Sequence, residues 1–148
     1  MLDKYMLNME INARDRKIID KLKQNSRSTV RDIAKKTGIR PSTVHQRIMR
    51  MSSGGVIEKF TVKLDNKAAG ENFIVFMQIM TKRDLPETFF ADRHIKEVFG
   101  ITGEYDLLLK LKFRDIEEFN KFVIGLRKNT SIAKTVTSIA TITLKEEI

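Results

Sequence analysis

Between Arg40 and Arg50 the chain reads RPSTVHQRIMR, and its polar members could all bond a nucleic acid. Val44, Ile48 and Met51 recur at i, i+4 and i+7, so they form the buried stripe of a helix. Ser42, Thr43, His45, Gln46, Arg47 and Arg50 fall between those positions and must face outward. Hydroxyl, amide and guanidinium groups at that spacing can donate to phosphates and to base edges in a major groove. Arg40 stands just before the helix and offers one more cation. The bland alternative is a solvated helix surface, which carries the same residue types.

The preceding segment is a second short helix. Val30, Ile33 and Ala34 give it an apolar face, and Thr29 with Asp32 forms a capping pair. Gly38 stands where a turn needs positive φ, and Pro41 suits a first helical position because it has no N–H to leave unpaired. Upstream, Asn12 and Asp15 start a first helix with Ile18, Ile19 and Leu22 as its stripe, ending near Asn25. Ser52-Ser53-Gly54-Gly55 ends the third helix, and Phe60, Val62 and Leu64 then alternate as one face of a strand. Three helices and a strand make a winged helix-turn-helix head, placed at residues 1–66 with a short arm at its start.

Charge follows the same division. Residues 1–66 hold 15 Lys+Arg against 7 Asp+Glu, and residues 67–148 hold 13 against 12. A basic head on a near-neutral body suits a polyanionic partner. There is no cysteine, and the two histidines have no ligand-like spacing, so no metal site is expected. No apolar run is long enough to span a membrane, and a cytoplasmic protein is the expectation. Phosphate loops, nucleophile motifs and paired catalytic carboxylates are all missing from the sequence, so neither an enzyme nor a cofactor is expected.

Residues 67–148 alternate apolar strands and helices. Phe73 to Met80 reads as a buried strand, and a helix opening at Asp84-Leu85-Pro86 is expected to carry Phe89, Phe90, Ile95, Val98 and Phe99. Gly100 and Gly103 bracket a turn before the Leu107–Leu111 strand. Asp115 caps a helix with Ile116, Phe119, Val123 and Leu126 on one face, and Thr135 to Leu144 closes as a strand. The expected architecture is α+β, with a ferredoxin-like βαββαβ body whose open sheet face calls for a twofold partner.

Both halves, in this order, resemble the Lrp/AsnC or feast/famine transcription regulators over roughly residues 12–145. The resemblance is carried by Asp15-Arg16-Lys17-Ile18-Ile19, Gly38-Ile39, Pro41-Ser42-Thr43-Val44 and Arg47-Ile48 to Met51. It continues in Gly55-Val56-Ile57, Gly103-Glu104-Tyr105-Asp106 and Thr135-Val136-Thr137. It implies a regulator that binds double-stranded DNA as a homodimer or larger homo-oligomer, such as an octamer. It also implies that an amino-acid effector, where one exists, lies between dimers near Gly103, Tyr105, Asp106, Thr135 and Thr137. On the residues alone, the Gly103–Asp106 stretch is equally a plain hairpin turn. Family members commonly carry Ser before the Pro41 position, and Arg40 forgoes that N-cap at a cost of roughly 1 kcal/mol. Two readings compete with a regulator: a small-molecule-binding metabolic βαββαβ domain with a basic appendage, and a sequence-neutral chromatin protein.

Overall fold

The computed structural model describes residues 10–147, so the arm expected over Met1 to Ile11 lies almost wholly outside the described residues. The chain forms two compact units, one closing at Val62 and the other opening at Lys63.

The first unit holds α1 (Ala13–Gln24), α2 (Val30–Thr37) and α3 (Pro41–Ser53). Asn12 and Thr29 each accept from the N3 backbone N–H, while Asp15 and Asp32 reach back to the cap N–H, so both helices begin with complete capping boxes. Gly38 ends α2 at φ 70°, the left-handed conformation that lets the chain turn at once into α3. Ile18, Ile33, Val44 and Met51 are fully buried, and Ala34 lies between them at the close approach of the helices. The expected strand over Phe60, Val62 and Leu64 does not form. Those side chains are more than half exposed, and the segment has no ladder partner among the described residues. Alternation supplies a face but not a neighbouring strand. A bond from Ser26 Oγ to the Thr61 carbonyl at 3.2 Å ties the segment to the loop after α1.

The second unit is a four-stranded antiparallel sheet of β1 (Phe73–Thr81), β2 (Ile95–Gly100), β3 (Leu107–Phe113) and β4 (Ile132–Ile139), in the order β2-β3-β1-β4. α4 (Glu87–Phe90) joins β1 to β2, and α5 (Ile116–Leu126) joins β3 to β4. Val75, Met77, Ile79, Leu109, Leu111 and Phe113 face α5 and are buried against Phe119 and Leu126.

Three expectations needed correction here. α4 is a single turn, and Ile95, Val98 and Phe99 belong to β2 instead of to a long helix. Asp92 breaks the helix because its carboxylate accepts the His94 N–H at 2.8 Å and its carbonyl accepts the Ile95 N–H at 3.0 Å. On α5, Ile116 is exposed and Phe122 joins Phe119, Val123 and Leu126 on the core side, giving an i, i+3, i+4, i+7 stripe. β4 begins and ends earlier than Thr135–Leu144. Past Ala140, whose N–H still bonds the Ile74 carbonyl at 3.0 Å, the chain leaves the ladder.

That departure carries Glu146 to Lys110 and Lys112. The two ammonium groups stand two residues apart on the same face of β3 and are 15% and 12% exposed, so they repel at close quarters. Glu146 answers both, at 2.6 Å to Lys110 and 3.0 Å to Lys112, and accepts from Asn66 at 3.0 Å. Hydrogen bonding from Lys110, joined by Asn66 and Lys112, overrides burial and draws the Glu146 carboxyl from its ordinary 4.5 down to about 2. A carboxylate bound more tightly in the folded state contributes stability above its ordinary pKa and loses it as pH falls. Unfolding free energy measured against pH should therefore decline between 4.5 and about 2, and Glu146→Gln should flatten that decline. After solvent screening the contribution is on the order of 1–2 kcal/mol.

Candidate nucleic-acid interface and sensor loop

α3 carries no acidic residue along its thirteen positions, and its last turn contains Arg50. Arg40 occupies the N-cap without a side-chain cap bond, and Pro41 follows in the first turn. The helix is therefore held by packing of Val44, Ile48 and Met51 and not by its cap. Ser42, His45 and Gln46 are exposed, as is Arg40, and Thr43 is half-buried at the rim. These side chains fall on the face that the apolar spacing had assigned to a partner.

Arg47 and Arg50 stand differently. Both reach back to Asp15 on α1, Arg47 at 2.8 Å and Arg50 at 3.1 Å, and Asp15 is fully buried. Arg47 is 20% exposed and shares its Nη1 with Asn12 at 3.2 Å, whereas Arg50 remains 52% exposed. Burial pushes the Asp15 carboxyl up, but the Arg47 and Asn12 hydrogen bonds and both arginine charges outweigh it and hold it below the usual range. The outward position expected for Arg47 is thus corrected: it occupies the seam between α1 and α3. The sequence contained the partner, since Asp15 is the N3 residue of α1, but nothing in its spacing links it to Arg47.

In the second unit, the loop from Gly103 to Asp106 closes β2 on β3, with Gly103 at φ 121°. The Asp106 carboxylate accepts from the backbone N–H of Thr81 at 2.6 Å and from its hydroxyl at 2.9 Å. These two bonds hold its pKa below the usual carboxylate range and fasten the loop to the end of β1. Lys134 pairs with Glu104 at 2.9 Å and stands 5.4 Å over the Tyr105 ring. Thr135 and Thr137 pair with Ile79 and Met77, so strand alternation turns them toward α5. There they line a groove of roughly 560 Å³ with Phe119, Val123 and Arg127. Among the described residues, no hydrogen bond joins Thr135 or Thr137 to the loop, and the loop's own side-chain bonds run to Thr81 and Lys134 instead.

Residues 11–58 match a family model described as winged helix-turn-helix DNA-binding, and residues 74–148 match the Lrp/AsnC ligand binding domain. An HTH-type transcriptional regulator of Pyrococcus horikoshii is 34% identical over 94% of this chain and 97% of its own. The chain belongs to the Lrp/AsnC family. Members are DNA-binding transcription regulators, and this chain has the head and body of one, in family order and at family length. Escherichia coli AsnC superposes with a TM-score of 0.85 at 25% identity, covering 95% of this chain and 98% of that one. A feast or famine regulatory protein of Mycobacterium tuberculosis, solved with L-methionine, shares the fold at a TM-score of 0.82 and 19% identity over 93% and 96% of the chains. The family favours a regulator over a metabolic domain or a sequence-neutral chromatin protein. Among the described residues no helix is long and apolar enough to cross a membrane.

Proposed function

We propose that this Lrp/AsnC regulator reads duplex DNA by laying α3 in the major groove, with Ser42, Thr43, His45, Gln46 and Arg50 toward the DNA and Arg40 at its edge. The observation that carries the reading is the exposed face of α3, which presents hydroxyl, imidazole, amide and guanidinium groups and no carboxylate. A carboxylate there would repel phosphates. Its absence leaves hydroxyl, amide and guanidinium donors free to meet base edges and backbone together. Arg47 supports this face from behind through Asp15.

The body is proposed to pair two heads. Phe76, Phe99 and Val136 stand on the sheet face away from α5 and are 40%, 49% and 42% exposed, an apolar surface that a second copy would cover. A free amino acid is the proposed effector class. Its support is the ligand binding domain model and the L-methionine in the Mycobacterium tuberculosis relative. A site that used both the Gly103–Asp106 loop and Thr135 with Thr137 would draw them from two copies.

Selection of bound genomic fragments by the full chain tests the whole reading. Recovered fragments should share inverted half-sites spaced by about 10 base pairs or a multiple. The recovered set should also change when one of the twenty amino acids is present. Lone half-sites would contradict the twofold assembly, an unchanged set would contradict the effector, and no enrichment at all would contradict sequence reading.

A further inference from the structure

Asp15 has more partners than a capping residue requires. A capping box uses one carboxylate oxygen for the cap N–H, here Oδ2 to Asn12 at 3.1 Å. The same carboxylate also takes Arg47 Nη1 on Oδ1 and Arg50 Nη2 on Oδ2, 32 and 35 residues away in sequence though adjacent in space. Among the described residues it is the one charged or polar side chain recorded as fully buried, and both of its cationic partners come from α3. The two arginines share it unequally. Arg47 is mostly enclosed, at 20% exposed, and its Nε is shielded from water without an acceptor. Arg50 is held by one nitrogen and keeps the remainder of its fork outward.

We infer that Asp15 is a specificity-determining positioning residue, which withholds Arg47 from the DNA backbone and fixes the aim of Arg50. This deepens the reading of α3 as the groove helix and rests on it. A loose guanidinium on a helix surface finds phosphates on any duplex, and phosphate contacts carry no sequence information. A guanidinium tethered at one nitrogen samples few orientations, so it favours the base edge whose acceptors lie in its path. Asp15 thereby suppresses indiscriminate binding and sharpens selective binding from a position that cannot itself touch DNA.

Asp15→Asn in the full chain separates positioning from simple support, because asparagine keeps an acceptor for the capping box while losing the charge that holds two arginines. With a selected fragment and random duplex as probes, preference for the fragment should fall by about tenfold or more. Freed Arg47 should meanwhile steepen the dependence of log K on log salt by about 0.9 for each phosphate gained. A variant that melts lower but keeps both preference and slope would reduce Asp15 to a structural cap and overturn the inference. Arg47→Met provides a second test that leaves Asp15 to Arg50 alone. It should leave the slope unchanged, and a slope shallower by about 0.9 would overturn the inference by placing Arg47 on a phosphate. Combined Ser42→Ala and Gln46→Ala replacement tells the two levels apart. If it leaves binding intact, the α3 reading fails; if it weakens binding while Asp15→Asn changes neither readout, only the role of Asp15 fails.

Discussion

Truncating Phe113 to alanine should destabilise the second unit by about 3–5 kcal/mol, as expected for loss of a fully buried aromatic ring. Phe113 is 1% exposed at the end of β3, and three aromatic rings meet it. Phe119 and Phe122 approach edge-on with centroids 5.4 Å away, and His94 stacks at 4.7 Å. No single neighbour can collapse into the space, because the three are fixed on two separate elements: α5 holds Phe119 and Phe122, and the β2 approach holds His94. Chemical denaturation followed by circular dichroism should show the loss. A cost under about 1 kcal/mol would mean that the packing between α5 and the sheet is looser than these contacts require.

The second large effect belongs to the head. Ile33 is fully buried among Ile18, Val44 and Met51, so Ile33→Ala should cost about 2–5 kcal/mol. A unit of this size buries too little surface to absorb that loss and remain mostly folded. DNA binding should therefore disappear, while the β-sheet transition of the second unit persists in the same melting experiment. Loss of both transitions together would contradict the division of the core into two clusters.

Much of the head was legible because its signals are local. Asn12, Thr29 and Gly38 each act within four residues, and the i, i+4, i+7 stripe of α3 needs no knowledge of its neighbours. The failures arose where a distant partner decides the outcome. Phe60, Val62 and Leu64 alternate like a strand, yet a strand exists only beside another. Ile95, Val98 and Phe99 fit a helical face as well as a strand face, and pairing with β3 together with the Asp92 turn selected the strand. The same limit applied to the interface. Exposure of Ser42, His45 and Gln46 follows from helical phase, whereas the capture of Arg47 by Asp15 spans 32 positions and leaves no periodic trace. Asp106 was legible as a loop residue, but its bonds run to Thr81, 25 positions away, a partner that no local spacing announces.

The claim that this regulator reads sequence through α3 is tested most directly by competitor titration at one fixed salt concentration. A labelled fragment recovered by selection is challenged with unlabelled copies of itself and with random duplex, for the full chain and for Arg50→Ala. The selected fragment should compete about 10³-fold or more effectively than random duplex. Arg50→Ala should lose about 1–3 kcal/mol of binding to it and relax the preference at one base position. Equal competition by both duplexes, or an Arg50→Ala chain that discriminates as well as the original, would contradict the account.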